Sequence, residues 1–157
     1  RAFPRDEVVD NLVSYAKGTK HDGGVLGNHP VLQQTTMGAV IESHVQSLLL
    51  KRTYWMYTNR MDVRYQGNVA NVHGRESSIR NATRVRDVMG MYCLLGTKEP
   101  DAPLGGAQEV NQRSKAGQNH GGGSTNIAKV VLARRIGISR TQERAAPTPA
   151  TATTHGS

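Results

Sequence analysis

The strongest constraint in this 157-residue chain is a run from Met37 to Met56 in which apolar residues return every three or four positions. Met37, Val40, Ile41, His44, Val45, Leu48, Leu49, Arg52, Trp55 and Met56 keep that spacing. The pattern predicts an amphipathic helix over residues 36–59. Such a helix is long for a small domain, and its apolar face asks for a partner. Near its end, Tyr54, Trp55 and Tyr57 form an aromatic cluster. That cluster is read as closing a helix–helix contact, with stacking on bases as the alternative.

Three further helices fit around this one. Residues 4–17 place Pro4, Asp6 and Glu7 at a helix start and Lys17 and Gly18 at its end. Residues 77–95 put Ala82, Val85, Met89, Tyr92 and Cys93 on one side, with Ser77 or Ser78 as cap and Gly96 as stop. Residues 125–136 carry Ile127, Val130 and Val131 on one stripe, Ser124 or Thr125 as cap, and Gly137 beyond Arg134 and Arg135. Glycine-rich connections join them. Residues 19–32 read as a loop, because Gly23-Gly24, Gly27 and His29-Pro30 are breakers. Residues 62–74 are either a short extended piece or a turn. Residues 97–123 form a long polar spacer with room for one short helix over 107–115. The expected fold is all-α: four helices with long Gly-rich connections in an extended, non-compact subunit. Residues 1–144 are read as one helical domain. Residues 145–157, an uncharged Ala/Thr/Pro stretch, are read as a tail, either disordered or lying as an arm on a neighbour. Arg1 in place of Met leads to the expectation that the start is processed or missing, and residues 1–18 lack the apolar segment of a signal peptide.

Composition then narrows the function. Lys+Arg is 20 against 12 Asp+Glu, a net charge of +8, and most of the excess lies beyond residue 58. Arginine outnumbers lysine 14 to 6, and its planar fork grips phosphate with two hydrogen bonds. An arginine-led excess suits tracking along a phosphate backbone. The candidate nucleic-acid-binding residues are Arg60, Arg64, Arg75, Arg80, Arg84, Arg86, Arg113, Lys115, Arg134, Arg135 and Arg140. Each of them could instead pair with Glu76, Asp87 or Glu143 or face solvent.

Catalytic signals are weak. The stretch His120-Gly-Gly-Gly-Ser-Thr125 could cradle a phosphate on backbone N–H groups or act as a flexible joint. Gly123 stands where a P-loop needs lysine, which excludes a nucleotide-hydrolysing loop. The six histidines lack metal-ligand spacing, and His44 is read as a hydrogen-bonded core or interface residue. The single cysteine, Cys93, excludes a disulfide framework and reads as a small buried hydrophobe. No apolar run reaches membrane-spanning length. No catalytic group, metal or cofactor is expected, and the chain is not expected to be an enzyme.

In architecture, the helix over 37–56, the basic helix over 75–95, the glycine-rich joints and the tail resemble coat proteins of filamentous helical viruses, including archaeal DNA viruses. In that family helices of paired subunits wrap nucleic acid while tails lie on neighbours. The resemblance implies a structural coat protein of a virion, with nucleic acid (DNA ahead of RNA) and copies of itself or a related coat protein as partners. A structural subunit of a ribosome or other ribonucleoprotein particle, organellar included, is the alternative. A small helical DNA-binding regulator or enzyme is the third reading.

Overall fold

The computed structural model describes residues 6–115 and 124–138. Among these, five α-helices dominate: α1 (Glu7–Gly18), α2 (Pro30–Thr58), α3 (Gln66–Met89), α4 (Ala107–Lys115) and α5 (Thr125–Arg135). A two-residue antiparallel ladder, β1 (Lys20–His21) with β2 (Gly24–Val25), pairs Lys20 with Val25 and His21 with Gly24. The all-α expectation holds. Five helices stand among the described residues in place of four, and α1, α2 and α3 contribute to one core. The tail 145–157 lies outside the described residues.

α2 and α3 form the frame. Gly67 lies beside Thr53, Gly74 beside Gln46, and Gly38 beside Arg84, so the two helices run antiparallel. A Cβ on Gly74 would stand 2.8 Å from Gln46 Nε2, so its missing side chain sets the approach of the helices. Gln46 Nε2 donates to the Ala70 carbonyl at 3.1 Å, and Gln46 Oε1 lies 2.8 Å from His73 Nδ1.

α1 lies across one end of this pair. Its three- and four-residue spacing turns Val9, Leu12 and Ala16 inward, where they join Leu26, Ala39, Val85, Val88, Met89 and Cys93 in the core. α4 docks on that end through amides. Gln108 is 2 % exposed, and its Nε2 donates to the Val8 carbonyl at 3.3 Å. Gln112 Nε2 donates to the Ala82 carbonyl at 2.8 Å. Before α4 the chain turns at Gly106, which has φ +77 and would place a Cβ 2.6 Å from the Thr97 backbone nitrogen. Only glycine fits there. α5 runs antiparallel to α3, with Lys129 paired to Glu76 and Arg135 Nη1 donating to the Arg64 carbonyl at 2.6 Å.

Three boundaries differ from the sequence reading. α2 starts at Pro30 rather than 36, because proline at the first helical position gives up an N–H that has no partner there anyway. α3 starts at Gln66, so the ambiguous stretch 62–74 is largely helical and Ser77 is buried mid-helix rather than capping. Packing on α2 overrides the weak propensity of Gly67, Asn68, Asn71 and Gly74. α3 stops at Met89, where Gly90 takes φ 59, and a 3-10 turn, Gly90–Leu94, follows. Tyr92, expected on the buried side, is exposed, whereas Ala82, Val85, Met89 and Cys93 are buried as expected. α4 occupies the short-helix span foreseen in the spacer. α5 matches its expected start, with Ser124 Oγ accepting from Ile127 N at 3.3 Å.

Candidate functional site

Between α1 and α2 lies a cleft of about 420 Å³. Val9, Val13 and Ala16 of α1 face Met37 and Val40 of α2 across it, and Asp10, Lys17, Ser43 and His44 supply polar groups. This volume is in the range of small-molecule sites. His44 is exposed on this cleft, which corrects its expected place in a core. No group of His, Cys, Asp and Glu that could hold a metal occurs among the described residues.

The inner face of α2 is small and polar. Ala39 and Thr36 are buried on it, and Glu42 forms the centre of an ionic seam with α3. Arg80 Nε donates to Glu42 Oε1 at 2.9 Å, and Arg84 Nη1 lies 3.0 Å from Glu42 Oε2. Arg84 Nη1 also donates to Asn81 Oδ1 at 2.8 Å. Burial works to raise the Glu42 pKa, but hydrogen bonds and charge from Arg84 and Arg80 outweigh it and hold the carboxyl below its ordinary value. Next to it, the hydrogen bond from Lys129 holds Glu76 below the ordinary value against a smaller desolvation effect, and Arg80 adds to this. Cys93 is 1 % exposed, and burial raises its thiol pKa, as befits an inert core residue.

The other flank of α2 carries its large apolar side chains. Met37, Ile41, Val45, Leu48 and Trp55, all in the stripe expected to ask for a partner, are exposed. Tyr54 and Tyr57 are exposed as well, so the aromatic cluster closes no helix–helix contact among the described residues. α2 thus leaves a row of large apolar side chains uncovered, a pattern that marks a surface for contact with further structure.

The expected nucleic-acid-binding set is scattered by its own partners. Arg80 and Arg84 are spent on Glu42, and Arg113 pairs with Glu109 at 3.1 Å. Arg75 Nε donates to Asn71 Oδ1 at 2.9 Å, Arg86 Nη2 donates to Thr83 Oγ1 at 3.4 Å, and Lys115 is also engaged. Arg135 Nη1 donates to the Arg64 carbonyl, and Arg64 pairs with Asp62, so these two of the set meet at the turn between α2 and α3. Arg140 lies outside the described residues. Several of these side chains thus have partners within the described residues.

The comparison with known families is decisive. The model of the acyl-CoA dehydrogenase C-terminal domain matches residues 4–137. The chain belongs to this family. A comparison with curated proteins finds no match. Solved structures share the fold. The ChsE4-ChsE5 complex from Mycobacterium tuberculosis superposes with a TM-score of 0.76 at 17% identity, over 87% of this chain and 35% of that one. The prolyl acyl carrier protein oxidase AnaB gives 0.70 at 17% identity, over 85% and 33%. The glutaryl-coenzyme A dehydrogenase complex with glutaryl-CoA gives 0.67 at 14% identity, over 87% and 33%. This acyl-CoA dehydrogenase domain therefore spans about a third of the solved chains it matches.

These findings overturn the coat-protein resemblance and what it implied. The family is one of metabolic enzymes, so the expectations of a non-enzymatic virion component, with nucleic acid and coat subunits as partners, are withdrawn. The physical source of the error is the seam. Arg80 and Arg84, read as available for phosphate, are paired with Glu42 inside the domain. No helix among the described residues is long and apolar enough to cross a membrane.

Flavin is the cofactor that such neighbours bring, as in the FAD complex of PigA. FAD joins a flat ring system to a diphosphate. The α1–α2 cleft offers an apolar wall, but the one cation lining it, Lys17, has Asp10 along the same cleft. The described residues therefore do not form a complete FAD cradle by themselves, and no chemical step is routed through one.

Proposed function

We propose that this chain is the helical part of a flavin-dependent oxidoreductase acting on an acyl thioester. The observation that carries the reading is the uncovered flank of α2 in a chain of this family. Met37, Ile41, Val45, Leu48 and Trp55 form a surface that a larger enzyme would bury. The substrates and ligands of the neighbours agree with that class: glutaryl-CoA, a prolyl acyl carrier protein and FAD. In this reading the described residues build and stiffen one wall and keep water from it. The α2–α3 seam supplies the stiffness, and the outer flank of α2 supplies the docking face for the rest of the enzyme.

The test uses the complete polypeptide that contains this chain. Purified and supplied with FAD, it is expected to hold flavin and to lose the flavin's visible absorbance when an acyl-CoA or an acyl carrier protein thioester is added without oxygen. A protein that takes up no flavin, or whose flavin stays oxidised with both thioester types, would contradict the reading.

A further inference from the structure

The uncovered residues of α2 keep a period of their own. From Ile41 the row runs through Val45, Leu48, Arg52 and Trp55, in steps of four, three, four and three positions. All five are exposed. A helix face turned toward a broad core spreads its apolar residues over about 100° or more. A strict alternation of four and three instead makes a narrow row with a mean spacing of 3.5, the spacing at which one helix follows another.

Both borders of the row fit that narrow footprint. On one side stand His44 and Lys51, exposed and polar, each one place before a member of the row. On the other side α3 closes the surface: Glu42 is held by Arg80 and Arg84, and Met56 is buried. Arg52 adds a chemical demand. A guanidinium covered among Val45, Leu48 and Trp55 is costly unless an acid meets it. The one acid of α2 is Glu42, which is already taken by the two arginines of α3. The carboxylate has to come from whatever covers the row.

We infer that the element covering this row is a single long helix from elsewhere in the complete polypeptide, with a carboxylate opposite Arg52. It lies along α2 at a crossing angle of about 20°, as the four-and-three spacing requires. The row spans roughly 21 Å from Ile41 to Trp55, so the partner helix runs for at least about four turns. The inference rests on the reading that a larger protein buries this flank, and it adds which kind of element does so.

Photochemical crosslinking in the complete polypeptide tests it. A benzophenone side chain takes the place of Ile41, Leu48 or Trp55, one at a time, and mass spectrometry locates the residue that each one captures. The captured residues are expected in one segment outside the present chain, moving by about seven positions from each site to the next, because both helices rise equally per residue. A strand would move by about three positions per step. Strand-like steps, captures scattered over several segments, capture of a second copy's α2, or no capture at any site would each overturn the inference. The charge is tested without the photoreactive group. Arg52→Glu should lower the melting temperature of the complete polypeptide by about 3 °C, while Arg52→Lys stays near the parent. An Arg52→Glu protein as stable as the parent would overturn the partner carboxylate. Flavin uptake is scored separately: seven-residue steps in a protein without flavin keep the helix and refute the flavoenzyme, and scattered captures in one that holds flavin do the reverse.

Discussion

The two ends of the α2–α3 pair are built on different principles. At one end α1 and α4 close over Leu12, Val85, Met89 and Cys93, and buried polar groups there have partners in the neighbouring helices. At the other end aromatic side chains face outward, Arg64 pairs with Asp62 at the surface, and Arg60 stands in a conformation that α5 gives to Gly137. The first end is optimised for folding. The second tolerates cost, and cost retained at one place in a fold points to a requirement outside folding.

The largest break in this contrast comes from the closed end. Leu12 is fully buried, so Leu12→Ala should cost about 3 kcal/mol in chemical denaturation, while Trp55→Ala on the open flank should cost less than about 1 kcal/mol in the isolated chain. Comparable losses at both would erase the distinction.

Next comes the seam that joins the ends. Glu42→Ala leaves two arginines facing each other and should cost about 2 kcal/mol. The same seam gives a pH dependence of known sign. Glu42 and Glu76 have folded pKa values below the ordinary 4.5, so the unfolded chain binds protons more readily. Their contribution is complete above that value and is lost as pH falls through the folded values. Melting temperatures recorded from neutral pH down to about 3 should fall on the acid side, and Glu42→Gln should flatten that fall. A steeper acid loss in the variant would show the sign to be wrong.

A smaller effect sharpens the comparison of the two helix ends. Gly137→Arg makes the end of α5 resemble that of α2 and should cost about 1 kcal/mol by thermal melting. A neutral result would remove the argument that Arg60 is strained. Smallest of all is Arg113→Ala, which removes an exposed pair with Glu109 and should shift stability by less than about 0.5 kcal/mol.

Local signals in the sequence were legible where they were self-contained. The Ser124 cap and the Gly137 stop define α5, and the spacing of Val9, Leu12 and Ala16 defines the buried face of α1. They failed where distant residues decide. The first half of α3 has poor helix formers and is helical because it packs on α2. Arg80 and Arg84 looked available because Glu42 is 38 and 42 positions away. The stripe on α2 was legible as an apolar face in need of a partner, but nothing local says that small Ala39 faces inward and large Ile41 outward. Family membership rests on a pattern spread over residues 4–137 and on a fold kept at 14–17% identity in the structures described, with no short motif to announce it. At the candidate sites the α1–α2 cleft went unread, because its walls come from two helices. Of the expected arginines, Arg64 and Arg135 do meet, but no spacing in the sequence brings α5 to the α2–α3 turn.

The claim on which the account turns is that the outer flank of α2 is an internal surface of a larger flavoenzyme. Hydroxyl-radical footprinting measures it directly, comparing Met37 and Trp55 in this chain alone and in the complete polypeptide. Both side chains are about half exposed here, at 49% and 58%. The account predicts that both react readily in the chain alone and are strongly protected in the complete protein. Equal reactivity in the two would contradict it.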